Sequence, residues 1–117
     1  MKKEPIRVAQ VMGIMNRGGV EAVIMNYYRA IDRTHVQFDF FVDERSSFPQ
    51  REEIELLGGR IYFVPSYTSP LRMIRALVRQ FLQNHYKIVH AHLNTMNGFP
   101  LLAAKIANVP VRICHNH

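Results

Sequence analysis

The stretch Ile6–Ile31, "IRVAQVMGIMNRGGVEAVIMNYYRAI", decides the fold class. Ile6 to Val11 is short, apolar and rich in β-branched residues just after a proline, so it reads as a strand. A glycine-rich loop leads into Gly19 to Ile31, where Val20, Val23, Ile24, Tyr27, Tyr28 and Ile31 recur at helical spacing. Strand, glycine loop and helix together open a βαβ unit, in which a helix carries the chain back to start a parallel neighbour.

Downstream the same alternation continues. "VQFDFFV" at Val36 to Val42 reads as a second strand, and Gln50 to Leu57 as a short helix closed by Gly58 and Gly59. "RIYFV" at Arg60 to Val64 is a third strand, and Leu71 to Tyr86 is a long helix. Its apolar side is read as Leu71, Ile74, Leu77, Val78, Phe81 and Leu82. "KIVHA" at Lys87 to Ala91 is a fourth strand, and Gly98 to Ala107 a small-residue helix that tolerates Pro100 only in its first turn. "VPVRIC" at Val109 to Cys114 closes the series, with Cys114 read as an inert small residue on a buried strand. Strands alternating with helices predict an α/β, Rossmann-like, doubly wound parallel sheet with helices on both faces. No covering helix follows the fifth strand, so the expectation is the front part of a larger protein with one sheet face partly bare.

Composition sets outer limits. A chain of 117 residues has the length of one domain, and 48% apolar with 21% charged residues is ordinary for a globular one. No apolar run nears the ~20 residues that span a bilayer, and the start lacks a secretory leader. With a single cysteine, the chain reads as cytoplasmic. Fifteen Lys and Arg against nine Asp and Glu give a net charge of +6, which favours anionic partners. No zinc-finger spacing or RNP-like motif accompanies that charge, so no nucleic-acid partner is expected. On the long helix, Arg72, Arg75 and Arg79 cluster on one side, which suits either an anionic membrane surface or a solvated flank of a core-packed helix.

Ligands of open parallel sheets gather beyond the carboxyl ends of the strands. Three segments fall there: the loop with Gly18 and Gly19, "HAHLNTMNG", and "CHNH". The glycine loop is neither GxGxxG nor a Walker loop, because Gly19 and Val20 stand where the lysine and hydroxyl would be. It leaves a helix N-terminus with Arg17 beside it, open to reading as an anion seat or as a plain turn. Glu21 sits in the first helical turn, where the dipole favours a carboxylate. His90 and His92 share one side of a strand, and His115 and His117 repeat the spacing. Zinc binding is not expected, since no Cys or carboxylate accompanies them at ligand spacing. His92 and His115 are instead expected to contact a polar substrate, and His90 to be a satisfied core histidine. No serine or cysteine nucleophile stands beside a base, and Asp39 and Asp43 have no evident partner in the sequence.

The order of motifs, "RGGVEAVIMNYYRAID", "VQFDFFV", "LGGRIYFVP" and "IVHAHLNTMNGFPLLAAKIANVPVRICHNH", resembles the N-terminal domain of family 4 glycosyltransferases of the GT-B fold, as found in bacterial capsular and exopolysaccharide clusters. The resemblance implies that residues 1–117 form one half of a two-domain enzyme. That enzyme would transfer a sugar from a nucleotide-sugar, with retention, to a saccharide or lipid-linked acceptor, using no metal or cofactor. By the same resemblance, Gly18 and Gly19, with Arg17 beside them, would face the donor diphosphate. His92 would contact the transferred sugar, Asn94 would add a polar contact, and His115 and His117 would line the cleft. The second domain, with its paired glutamates and main nucleotide pocket, would lie outside these residues, and the chain alone would be inactive. A stand-alone flavodoxin-like or receiver-like module is the alternative. Against it, Val64 is followed by Pro65 and Ser66 rather than a phosphorylatable aspartate, and "GIMNRGG" is not a flavin phosphate loop.

Overall fold

A computed structural model describes residues 4–15, 19–47 and 50–116. Among the described residues five strands and four helices alternate: β1 (Ile6–Val11), α1 (Gly19–Ala30), β2 (Val36–Asp43), α2 (Arg51–Leu56), β3 (Arg60–Val64), α3 (Pro70–Asn84), β4 (Ile88–Ala91), α4 (Gly98–Ile106) and β5 (Val111–Cys114). A single 3₁₀ turn, Asn94–Met96, intervenes between β4 and α4. The strands form one parallel sheet in the order β3-β2-β1-β4-β5. The order reverses at β1, which has β2 on one side and β4 on the other, so a topological switch point lies between β1 and β4.

Alternation along the strands sorts side chains onto two faces. On one, Val8, Phe38, Phe40 and Val42 meet Ile24, Met25 and Tyr28 of α1 and Ile54 of α2. On the other, Ala9, Val11, Phe41 and Val89 meet Met73, Leu77 and Phe81 of α3 and Ala103 and Ala104 of α4. The small residues of α4 let it approach α3 and the sheet closely. All four residues of β5 are exposed, including Cys114, so the expectation of a buried cysteine is corrected. The expected apolar side of α3 is also corrected: Leu71 and Leu82 are 80% and 51% exposed, while Met73 is buried. Two apolar margins flank the stripe of α3, and the sheet takes the one that carries Met73.

Gly58 and Gly59 do more than end α2. Gly58 has φ 96°, a left-handed conformation that glycine adopts without steric cost. Gly59 lies against the core, where a Cβ would stand 2.6 Å from the Tyr28 hydroxyl, 2.8 Å from Ile54 Cγ2 and 3.0 Å from the Phe38 carbonyl oxygen. Tyr28 in turn donates to Gln37 Oε1 at 2.5 Å, and burial pushes its phenol pKa up.

Both strand-two aspartates have partners. Buried Asp39 accepts from Arg7 Nη1 at 2.5 Å and from the Tyr86 hydroxyl at 2.6 Å, tying β1, β2 and the entry to β4 together. Asp43 accepts from Arg45 Nε at 3.0 Å and Nη2 at 2.9 Å. The Arg45 guanidinium holds the Asp43 carboxyl below its ordinary pKa. Among the described residues no helix is long and apolar enough to cross a membrane.

Candidate functional site

The carboxyl ends of β1 and β4 are adjacent, and their exits are tied together. His92 N donates to the Val11 carbonyl at 2.9 Å, while on the other side Met12 N ties the β1 exit to β2 through the Phe41 carbonyl at 2.8 Å. The loop leaving β1 is braced by the exit of β2: Asp43 N donates to Gly13 O at 3.2 Å, and Met15 N to the Ser46 hydroxyl at 2.8 Å. Arg45, held by Asp43, also donates to Ser66 after β3 at 2.9 Å. A relay of strand exits therefore fixes the start of the glycine loop. From there the chain passes to α1, whose first residue is Gly19.

Between this loop, the first turn of α1 and β4 lies a cavity of about 220 Å³, lined by Gly13, Met15, Gly19, Glu21 and His92 among others. A Cβ on Gly19 would meet nothing within 4 Å, so packing places no demand for glycine there. Glu21 and His92 are both buried at the wall of this cavity. His92 Nε2 lies 2.7 Å from Oε1 of buried Gln10, the contact of a ring N–H donating to the amide oxygen. Gln10 thereby orients the imidazole from the interior of the sheet.

The same histidine faces a second, larger hollow. A groove of about 360 Å³ runs between α1, at Val20, Val23 and Tyr27, and the open side of β4 and β5, at Ile88 and Ile113. Its upper end is formed by His90, His92 and His115. The ring centroids of His90 and His92 are 4.0 Å apart, those of His90 and His115 5.5 Å, and those of His92 and His115 5.6 Å. Pairing of β4 with β5 brings this about: His90 stands opposite Ile113, and His115 N donates to the Ala91 carbonyl at 2.9 Å.

Of the residues singled out in the sequence, Gly19 and His92 share the smaller cavity. His115 lies on the larger groove. Asn94 is exposed, with φ 53° at the start of the 3₁₀ turn, and is not among the residues lining either hollow. Arg17, Gly18 and His117 lie outside the described residues. His90 is half-buried and joins the histidine cluster rather than the core. Arg72, Arg75 and Arg79 are all exposed on α3.

Two contributors escaped the sequence reading, and a third was read only in part. Gln10 reads as one polar residue within an apolar strand, and a polar side chain on a central strand is itself the signal, because burial there demands a partner. Glu21 reads in the sequence as a first-turn carboxylate that suits the helix dipole and would oppose a phosphate placed too near, and the fold adds that it lines the cavity. Buried Asn97 clasps the loop after β4: its Oδ1 accepts from Leu93 N at 2.5 Å, and its Nδ2 donates to the His115 carbonyl at 3.3 Å.

The chain is thus a doubly wound α/β domain in which a helix N-terminus and a buried histidine meet at the switch point, the place where ligands of open parallel sheets gather. The family follows from comparison with known proteins: residues 17–117 match Glycosyltransferase Family 4, and the chain belongs to that family. Over 120 aligned residues it is 42% identical to EpsF of Bacillus subtilis (strain 168), which bears the name of a glycosyltransferase; the match covers 100% of this chain and 31% of EpsF. It is 29% identical over 114 residues to the capsular polysaccharide biosynthesis glycosyltransferase CapH of Staphylococcus aureus, covering 94% of this chain and 30% of CapH. The chain therefore spans about a third of the length of these relatives. No solved structure matches it. Membership of this family sets aside the flavodoxin-like and receiver-like alternative.

Proposed function

We propose that this chain is the acceptor-side half of an enzyme that moves a sugar from a nucleotide-sugar to a saccharide or lipid-linked acceptor in cell-surface polysaccharide synthesis. The observation that carries the reading is the meeting of Gly19, the first turn of α1 and His92 around one cavity at the β1/β4 switch point. When a nucleoside diphosphate departs, negative charge grows on its phosphates. Backbone N–H groups at a helix N-terminus, already aimed outward, stabilise that charge without reorganising. Gly19 presents no side chain to the approaching phosphate, and Arg17 and Gly18 precede it in the sequence. Buried Glu21 repels a phosphate seated too deep, which favours the diphosphate at the Gly19 rim and the sugar toward His92. His92, held by Gln10, hydrogen-bonds the transferred sugar and keeps it in line.

Retention of configuration without a catalytic metal ion is the course that the family resemblance implies, and it suits a site whose donors are backbone groups. The leaving group's main pocket would belong to a second domain, so the 117-residue chain alone should be inactive. The exposed arginines of α3, with Leu71 and Leu82 exposed beside them, would hold the enzyme against the anionic inner face of the membrane, near a lipid-linked acceptor. The test is product formation by the full-length gene product with a panel of nucleotide-sugars and membrane-derived acceptors, compared with the isolated chain. Transfer by the full-length protein alone supports the reading, and equal turnover by the 117-residue chain overturns it.

A further inference from the structure

His90, His92 and His115 each present one ring nitrogen such that the three nitrogens lie within 4.8 Å of one another. In the sequence these residues form one pair and a distant single, with no third ligand at metal spacing. The third ligand is supplied by the fold, through the pairing of β5 with β4. Tetrahedral zinc, with Zn–N bonds of about 2.0–2.1 Å, needs its ligand nitrogens roughly 3.4 Å apart. From within 4.8 Å the nitrogens have at most about 1.4 Å to close, and His115, just past the end of β5, is exposed. Two further features fit an ion. Gln10 holds one nitrogen of His92 at 2.7 Å, the arrangement of an outer carbonyl orienting a metal-bound imidazole. His90 lies within β4, and backbone hydrogen bonds from His92 N to the Val11 carbonyl and from His115 N to the Ala91 carbonyl hold the other two just past the strand ends, so little chain entropy is lost on binding.

We propose that His90, His92 and His115 form a binding site for a borderline-soft divalent transition-metal ion such as zinc, with its fourth coordination position open to the groove beside α1. Three neutral imidazoles without a carboxylate suit zinc, nickel or copper and disfavour magnesium and calcium, which take oxygen ligands. Because the ion takes up His92, it competes with the sugar contact assigned to that residue and acts as an inhibitor, not as a catalytic group. This last step rests on the function proposed above; the site itself does not.

The test uses the tag-free chain and zinc titrated against a chromophoric chelator, with cobalt(II) absorption as a second readout of tetrahedral imidazole ligation. One ion per chain is expected, with affinity falling at least about tenfold in each of His90→Gln and His115→Asn. His35→Gln, a histidine paired with Asp32 away from the cluster, should bind as the parent does. Circular dichroism identifies any variant that fails to fold, and His115→Asn, on the exposed edge, remains the deciding case. Parent and His115→Asn binding zinc alike, or no binding at 100-fold excess of zinc over chain, overturns the site. In the full-length gene product, half-inhibition by zinc should need at least about tenfold more metal in His115→Asn, relative to that variant's own zinc-free rate. Binding without inhibition would leave the site standing and overturn the assignment of His92 to the sugar.

Discussion

Exchanging glycine for alanine at two positions separates a glycine kept for packing from one kept for a ligand. At Gly59 the added methyl would lie 2.6 Å from the Tyr28 hydroxyl, 2.8 Å from Ile54 Cγ2 and 3.0 Å from the Phe38 carbonyl oxygen. None of these yields easily. The hydroxyl is held by Gln37 at 2.5 Å, Ile54 is fully buried, and the carbonyl belongs to a central strand. Overpacking of this kind costs about 1–3 kcal/mol, and with three fixed neighbours the upper half of that range, about 2–3 kcal/mol, is expected. For a chain of 117 residues the unfolding entropy is roughly 250 cal/mol/K, so each kcal/mol lowers Tm by about 4 °C. Gly59→Ala should therefore melt about 8–12 °C lower by circular dichroism. At Gly19 the same methyl meets open space, and Gly19→Ala should stay within about 0.5 kcal/mol of the parent. Its effect belongs to the donor: in the full-length gene product the nucleotide-sugar KM should rise about fivefold, equivalent to roughly 1 kcal/mol. Equal Tm losses for the two variants would refute the packing argument. An unchanged donor KM in Gly19→Ala would leave that loop a plain turn.

Asp43, with its pKa depressed by Arg45, contributes stability that is present above the ordinary carboxylate pKa of ~3.9 and lost as pH falls through its lower folded value. Asp43→Asn should thus cost about 1–2 kcal/mol at pH 7, and the gap to the parent should close in urea melts taken below pH 4. Gln10→Leu removes the acceptor held 2.7 Å from His92 and should destabilise by about 1–3 kcal/mol, while Gln10→Glu, which keeps an acceptor, should lose less in the same melts. Reversing Arg72, Arg75 and Arg79 together to glutamate should weaken flotation with anionic vesicles at least about 100-fold at low salt, taking about 1 kcal/mol per lost cation. Parent protein that fails to float with such vesicles would remove the membrane contact.

How far the sequence speaks depends on how local each interaction is. β1 and β3 are bounded in the sequence where the fold bounds them, because β-branched runs between proline, glycine and polar residues state both ends. The helix end at Gly58 was equally legible, since a left-handed residue there calls for glycine. Contacts between distant segments were not. Asp39 looked unpartnered because its partners, Arg7 and Tyr86, stand 32 and 47 residues away. The exposure of Leu71 and Leu82 depends on which margin of α3 meets the sheet, and helical periodicity does not say. The 3₁₀ turn after β4 is braced by the Asn97 side chain, which reaches back to Leu93 N, a contact that helical or strand periodicity does not announce. At the candidate site, the place of His92 and of Gly19 beyond strand ends was legible from position alone. Their meeting across the β1/β4 switch point, the clustering of His115 with His90, and the support from Gln10 all required strand order and register.

The most direct test of the central claim is transfer by the full-length gene product carrying His92→Gln, an exchange that keeps an amide donor for Gln10. The account predicts turnover reduced by about 100-fold or more, equivalent to roughly 3 kcal/mol of lost transition-state stabilisation, with a stability loss below about 1.5 kcal/mol. Parental turnover in a folded His92→Gln enzyme would contradict it.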